Sequence, residues 1–98
     1  MGKIVDITEK LSFDTNPTLM IRGEGYEVNA DARTVLEIMG DFNNKSDMDA
    51  ALSAYEKMFS ERDRSRIDAL KLPYKDLMII IKTAISLVTG EDEDQGEQ

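Results

Sequence analysis

The first thirty residues alternate apolar and polar positions over short distances, which is typical of extended chain. The clearest case is TLMIRGEGYEVN, which places two pairs of apolar residues on either side of a Gly-Glu-Gly segment: Leu19 and Ile21, then Tyr26 and Val28. Gly23 and Gly25 can adopt the positive φ angles that a tight reversal needs. We therefore predict a β-hairpin, which must pack on helices or gain a third strand from residues 3–13, because an isolated hairpin is marginally stable in water.

From residue 30 onwards the apolar spacing changes to the helical period of about 3.6 residues. A first helix is predicted in DARTVLEIMGDF, with Asn29 or Asp31 as its N-cap and an apolar stripe made of Val35, Ile38, Met39 and Phe42. A second helix is predicted in SDMDAALSAYEKMF, where Ser46 is the N-cap. Its apolar stripe comprises Met48, Ala51, Leu52, Tyr55, Met58 and Phe59.

Two further helices are predicted after residue 60. Ser60 repeats the capping pattern before ERDRSRIDALK, which predicts a short helix that exposes its charges and buries its few apolar residues. Pro73 suits the first turn of a last helix, which runs to Val88 or Thr89 and ends at Gly90.

The last predicted helix has more apolar surface than a helix lying on a protein surface needs. At about 100° per residue, eight side chains fall within an arc of about 180°: Leu77, Met78, Ile80, Ile81, Ala84, Ile85, Leu87 and Val88. Ile79 lies on the opposite, polar side. Two interpretations stay open: the helix is central, between the other helices and the sheet, or part of the arc together with Ile79 contacts another subunit or a partner protein. The candidate protein-contact residues are Leu77, Met78, Ile79, Ile80, Ile81, Ile85, Leu87 and Val88.

The same apolar run does not predict membrane insertion. It covers the residues from Leu77 to Val88, whereas a helix that spans a bilayer needs about 20 apolar residues. Lys82 also lies in the middle of the run. We therefore expect no membrane partner.

Composition excludes several kinds of chemistry. The 98-residue chain has no cysteine and no histidine, which excludes disulfides, Cys/His zinc sites and histidine acid–base catalysis. The Gly-Glu-Gly segment lacks the spacing of a nucleotide-binding loop, and the acids of DFNNKSDMD lack the spacing of a calcium loop. We expect no cofactor, no metal ion and no enzymatic activity.

Charge is concentrated at the C-terminal end. The chain has twenty acids and twelve bases, and residues 91–98 hold five of the acids and no base, so the first ninety residues have fifteen acids against twelve bases. No face has a clear basic excess, because the arginines of ERDRSR alternate with acids, and nucleic-acid binding is therefore not expected. The segment EDEDQGEQ cannot bury apolar area to offset its ordering entropy. We predict that residues 91–98 form a disordered acidic tail.

These patterns together predict an α+β fold, in which a small N-terminal antiparallel β-hairpin or sheet precedes a bundle of three to four helices. Residues 1–90 are expected to form a single domain. A core of this size gives a modest stability, and oligomerisation is a common way to extend it. A homo-oligomer is therefore expected.

The layout resembles a known family of phage proteins. An extended N-terminus, the segment LMIRGEGYEVNADARTVLEIM, three helices and an acidic tail are similar to the small tail assembly chaperones of long-tailed (siphovirus-type) phages and prophages of Gram-positive bacteria. The matching segments are a strand end at Tyr26 to Asp31, a helix with Thr34 to Met39 and an apolar final helix from Asp76 to Val88. The resemblance covers residues 18–90.

The resemblance implies a function in virion assembly. Members of that family are non-enzymatic proteins of the host cytoplasm that bind the tape measure protein, keep its apolar surface soluble and help to recruit tail tube subunits. Many also exist as a longer product of translational frameshifting. Two other functions stay open from the residues: a structural tail or connector subunit of the virion, and a small acidic inhibitor or adaptor protein.

Overall fold

The computed structural model describes residues 2–13 and 15–90. Its order of elements confirms the α+β fold: a two-stranded antiparallel sheet near the N-terminus, then four helices. The elements are β1 (Thr18–Ile21), β2 (Glu24–Glu27), α1 (Ala32–Asn44), α2 (Asp47–Met58), α3 (Glu61–Asp68) and α4 (Tyr74–Thr89). The prediction of a disordered tail over residues 91–98 lies outside the described residues.

The hairpin forms where the sequence predicts it, but one glycine has a different role. Ile21 pairs with Glu24, so the loop consists of Arg22 and Gly23, with φ angles of 52° and 81°. Two consecutive positive φ angles fit the right-handed twist of the strands, and a glycine accepts one of them without steric cost. Gly25 lies in β2, opposite Met20, and the prediction that it helps to form the reversal is wrong.

Residues 3–13 do not add a third strand to this sheet. They form one short 3-10 turn, Thr8–Lys10, within otherwise irregular chain, and every residue from 2 to 13 is exposed. We call residues 2–13 the N-terminal arm. Of the two predicted ways of stabilising the hairpin, packing on helices is therefore the one that the described residues show.

Arg66 of α3 joins the hairpin to the helices. Its guanidinium carbon lies 4.2 Å from the centre of the Tyr26 ring, a cation–π distance. The same group donates to the Gly25 carbonyl at 3.3 Å and to the Glu24 carboxylate at 3.1 Å. On its other side it donates to Asp63 at 2.9 Å. One side chain thus connects β2 with α3 and covers the buried ring of Tyr26.

The helices begin at the predicted caps. Asp31, Ser46 and Ser60 each accept a hydrogen bond from the backbone N–H three residues later, at the starts of α1, α2 and α3. Pro73 precedes the first residue of α4, and Gly90 ends that helix with a φ of 81°, which a glycine adopts without strain. Local chemistry therefore sets the boundaries of the helices.

The buried side of α1 is narrower than the predicted stripe. Ile38 is buried and Val35 is half-buried, whereas Met39 and Phe42 are exposed. The predicted apolar stripe is therefore only partly covered, because α1 packs extensively on α2 alone.

The buried side of α2 is rotated relative to the predicted stripe. Its buried residues, together with its C-cap, are Ala50, Ala51, Ala54, Tyr55, Met58 and Phe59. Met48 and Leu52, which belong to the predicted apolar stripe, are 73% and 56% exposed. Small alanine side chains let neighbouring helices approach closely, and Ala50 and Ala54 are buried where the predicted stripe has Met48 and Leu52.

Helix α2 is the centre of the fold. It packs against three helices, α1, α3 and α4, whereas α4 packs extensively against α2 alone. Tyr55 of α2 is buried, and its hydroxyl donates to the Asp68 carboxylate of α3 at 2.8 Å. The core cluster also takes in Tyr26 and Val28 from the hairpin side. The interpretation of the last helix as the central one is therefore wrong.

Candidate protein-contact surface

The candidate residues of α4 divide into three groups. Ile80 and Ile81 are buried, and so is Ala84, one turn further along the helix. The half-buried side chains that pack against the core are Leu77, Met78, Ile85, Leu87 and Val88. Ile79 is 59% exposed. Because only one side of α4 meets α2, the wide apolar arc is covered at its centre and left partly open at its edges.

An apolar groove lies along one of these edges, between the first halves of α2 and α4. It is a cavity of about 250 Å³ with eight lining residues: Asp47, Met48, Ala51 and Leu52 from α2, and Tyr74, Leu77, Met78 and Ile81 from α4. Asp47 is the only charged residue among these eight. We use the name apolar groove for these eight residues throughout.

The walls and the floor of the groove differ in exposure. Met48, Leu52 and Tyr74 are exposed, Leu77 and Met78 are half-buried, and Ala51 and Ile81 are buried. Large side chains therefore stand on both sides of a floor that belongs to the core. Methionine side chains adapt readily to different apolar partners, and a groove of this kind fits the apolar side of a helix.

Ile79 lies beside the groove in a separate depression of about 300 Å³. Tyr74 and Met78 line both the groove and this depression, and Lys75 and Lys82 complete it. The apolar surface thus continues from the groove to Ile79, where two lysines bound it. The exposed position of Ile79 agrees with its place on the polar side of the predicted helix.

Acidic residues lie in the first turns of the two helices that form the groove. Asp47 and Asp49 are in the first turn of α2, and Asp76 is in the first turn of α4. Carboxylates at these positions stabilise the helices through the macrodipole. They also add negative charge near the groove, although Lys75 lies next to Asp76 in the same turn of α4.

A polar network occupies the contact between α1 and α2. The Asp41 carboxylate accepts hydrogen bonds from the Ser53 hydroxyl at 2.6 Å and from the Lys57 ammonium at 3.1 Å. These two bonds, and then the nearby positive charges, lower the pKa of Asp41 to about 2. Lys57 also lies 3.7 Å from Glu37. This side of α2 is closed by charge and hydrogen bonding.

The acids of the segment DFNNKSDMD take part in helix packing or lie at the start of a helix. Asp41 belongs to the network with Ser53 and Lys57, and the Ser46 side chain caps α2 next to Asp47 and Asp49. Within residues 2–13 and 15–90, no group of three or more acidic side chains is arranged to hold a metal ion. In the same residues, every buried side-chain nitrogen and oxygen has a hydrogen-bond partner.

Hydrogen bonds of two polar side chains, Tyr55 and Arg64, join α2 to α3. Burial, and then the hydrogen bond to Asp68, raises the pKa of Tyr55 above its usual value. The Arg64 guanidinium donates to the carbonyls of Glu56 and Phe59, at 2.8 and 2.7 Å, and so satisfies the end of α2. These groups are held by neighbouring backbone and side chains, and Arg64 also lines a cavity of about 440 Å³ next to the end of α2.

The structure brings some of the predicted contact residues together and separates others. Leu77, Met78 and Ile81 line the groove, and Ile79 lies next to it. Ile80 belongs to the core, and the half-buried residues near the end of the helix pack against that core. Whether any of them contacts a partner stays a prediction.

Five residues of the groove were not among the predicted contact residues: Asp47, Met48, Ala51, Leu52 and Tyr74. Met48, Ala51 and Leu52 were placed on the apolar stripe of α2, and Tyr74 was not assigned to a surface. Their spacing contains a usable signal, because Met48 and Leu52, like Tyr74 and Met78, are four residues apart and share a helix face. Which faces meet depends on the packing of helices that are distant in sequence.

Comparison of the chain with protein-family models, with curated proteins and with solved structures found no match. In the part of the chain that the structure describes, no helix has the length and apolar character needed to cross a membrane.

Proposed function

We propose that this protein is a non-enzymatic phage tail assembly chaperone that binds the tape measure protein in the host cytoplasm and helps to recruit tail tube subunits. The observation that carries the proposal is the apolar groove, with exposed Met48, Leu52 and Tyr74 above a buried floor. An amphipathic helix of a partner, placed in this groove, would cover the exposed side chains through its own apolar face. Tape measure proteins of the resembling family are long and helical.

Charge supports the same proposal. The first ninety residues are mildly acidic, Asp47 lines the groove, and Asp49 and Asp76 lie in the first turns of α2 and α4. Complementary charge steers encounter and fixes the orientation of a bound segment more than it adds affinity. A helix that places basic residues beside its apolar stripe fits this groove. Self-association of the chaperone, expected from its small core, belongs to the same proposal.

The test is co-expression of the chain with the products of the neighbouring genes, followed by affinity capture. We expect the chain to retain a long helical partner. Leu52→Asp, which places a charge in the groove, should lower the retained amount on the order of tenfold or more, since burying an unpaired charge is strongly unfavourable. Leu36→Asp is the matched control, because Leu36 is 69% exposed on α1 and is not among the groove residues.

Two results would contradict the proposal. Failure of the wild-type chain to retain a long helical partner would exclude the chaperone function, and equal loss of binding in both variants would exclude the groove as the binding site. Mass spectrometry of mature particles distinguishes a chaperone from a structural subunit. An assembly chaperone is expected to be absent from the particles, and its presence in stoichiometric amount would favour a structural tail subunit.

A further inference from the structure

The open side of α4 carries two cations with one apolar side chain between them. Lys75, Ile79 and Lys82 are spaced as i, i+4 and i+7, so they share one face of the helix. All three are exposed, and they line the depression of about 300 Å³ beside the groove. We call these three residues the α4 strip. The strip lies outside the eight residues of the apolar groove, to which the proposed function assigns a partner helix.

The two lysines of the α4 strip form no ion pair within residues 2–13 and 15–90. The bases that form ion pairs there are Arg33, Lys45, Lys57 and Arg66. Asp76 follows Lys75 along the chain but is not paired with it. Two neighbouring positive charges on the surface of a chain with net charge −8 attract a segment rich in carboxylates.

The most acidic segment of the chain begins where this helix ends. Residues 91–98, which we call the acidic segment, hold five acids and no base and follow Gly90 directly. Gly90 has a φ of 81°, so the chain leaves the helical path there instead of continuing along the axis. Lys75, Lys82 and Thr89 are seven residues apart in turn and therefore lie along the same side of α4. The α4 strip thus leads along the helix to the point at which the acidic segment starts.

The length of the acidic segment matches the spacing of the lysines. Along the helix axis, Lys82 lies about 12 Å and Lys75 about 22 Å from Gly90, at 1.5 Å per residue. Extended chain covers about 3.3 Å per residue, so Asp94 reaches about 13 Å and Glu97 about 23 Å from Gly90. Less extended chain still brings the first four acids close to Lys82, because a flexible stretch of four residues spans about 11 Å. A segment that runs back along α4 therefore places carboxylates level with both lysines.

Covalent attachment favours the acidic segment over a carboxylate-rich segment of another molecule. A short tether gives the segment an effective concentration near the strip that is roughly millimolar. Single pairs of exposed charges contribute little stability, so the tether and the number of carboxylates are both needed for the contact. Because the contact depends on charge and not on burial of apolar area, it does not require the acidic segment to form regular structure.

We propose that residues 91–98 run back along α4 and place their carboxylates on Lys75 and Lys82, so that the chain's own acidic segment occupies the α4 strip. The segment then neutralises the positive charge beside the groove and lies over Ile79, while the groove stays open to a partner helix. An acidic segment of another protein must displace it to reach the strip. This inference concerns the isolated chain and goes beyond the proposed function, on which it does not depend.

Paramagnetic relaxation enhancement in solution NMR tests the inference on the full chain. The chain has no cysteine of its own, so Gln95→Cys accepts a single nitroxide spin label within the acidic segment. The enhancement at the backbone amide of Ile79 then measures how much of the time the label lies near the α4 strip. We expect this enhancement at low ionic strength and its loss at about 1 M salt, where charges are screened beyond about 3 Å.

A pair of charge variants separates docking on the lysines from the effect of the tether alone. Lys75→Gln combined with Lys82→Gln, in the spin-labelled chain, should lower the enhancement at Ile79 on the order of threefold, because the tether remains and the attraction is removed. The control combines Arg33→Gln with Arg62→Gln, which removes the same charge from exposed positions on α1 and α3 and should leave the enhancement unchanged. Circular dichroism verifies that both variants are folded.

Three results would overturn the inference. The first is an equal enhancement at Ile79 in the lysine variant and in the arginine control, and the second is an enhancement that high salt leaves unchanged. The third comes from a mixture of spin-labelled chain with isotope-labelled chain that carries no spin label. An enhancement at Ile79 in this mixture as large as within one chain would show that the acidic segment docks on another copy. Capture of a long helical partner is measured separately, so the proposed function and this inference can fail independently.

Discussion

Helix α2 packs against α1 on one side and against α4 on the other, and different chemistry closes the two contacts. Between α1 and α2, Asp41 is bound to Ser53 and Lys57 at the edge of the contact. Between α2 and α4, the corresponding edge is the apolar groove, where Leu52 and Met78 stand without a polar network across them. One contact is complete within the chain, and the other ends in apolar surface.

This difference shows which part of the surface is available for assembly. Charged groups at the edge of the α1 contact are favourable in water, so nothing is gained by covering them further. Covering the apolar side chains at the edge of the α4 contact with another molecule is favourable, because it removes apolar surface from water. The same wide apolar arc of α4 therefore serves the core at its centre and leaves apolar surface open at its edge.

The largest expected effect concerns the buried part of the α4 contact. Ile81→Ala should lower the free energy of unfolding by about 2–5 kcal/mol, because the side chain is 3% exposed and its removal leaves a cavity. Urea denaturation followed by circular dichroism measures this loss. Ile79→Ala is the matched control, the same substitution on the exposed side of α4, and should change the free energy by no more than about 0.5 kcal/mol. Similar losses in both variants would contradict the division of α4 into a buried and an open side.

A smaller effect is expected at the α1 contact, and it depends on pH. Hydrogen bonds from Ser53 and Lys57 hold the pKa of Asp41 at about 2, below its usual value of 3.8. A carboxyl whose pKa is lowered by folding contributes stability above its unfolded pKa, and this contribution is lost as the pH falls from about 4 towards 2. The difference in stability between wild type and Asp41→Asn should therefore shrink across that window, as urea midpoints at several pH values would show. A difference that stays constant with pH would mean that the network does not stabilise the charged carboxylate.

The smallest effect on folding is expected in the open groove. Met48→Gln should change the free energy of unfolding by no more than about 0.5 kcal/mol, because Met48 is 73% exposed in the folded chain. The same urea experiment at low protein concentration, where chains do not associate, checks it. A loss comparable to that of Ile81→Ala would show that the groove is closed in the folded chain.

Local features of the fold could be predicted from the sequence because their causes lie within a few residues. The hairpin depends on the two-residue loop at Gly23, and the starts of α2 and α3 depend on Ser46 and Ser60. Gly90 ends α4 in the left-handed conformation that its position predicts. In each case neighbouring backbone groups are satisfied by the residue itself.

Features that depend on distant packing were predicted less well. The periodicity of α2 could not indicate that Ala50 and Ala54 would be buried and that Met48 and Leu52 would stay exposed, because that choice follows from the contacts with three other helices. For α4, the width of the apolar arc correctly indicated surface in excess of what one contact uses, but the sequence did not show that Tyr74 joins it.

The central position of α2 also has a consequence for the speed of folding. The extensive contacts join β1 with β2, α1 with α2, and α2 with α3, all of which are consecutive along the chain, and the contact of α2 with α4 passes over the short α3 alone. Chains dominated by contacts between segments close in sequence lose little loop entropy before their contacts form, and they fold in roughly microseconds to milliseconds. The protein can therefore reach its native state soon after its last helix leaves the ribosome, since α4 needs only α2 already in place to complete the core.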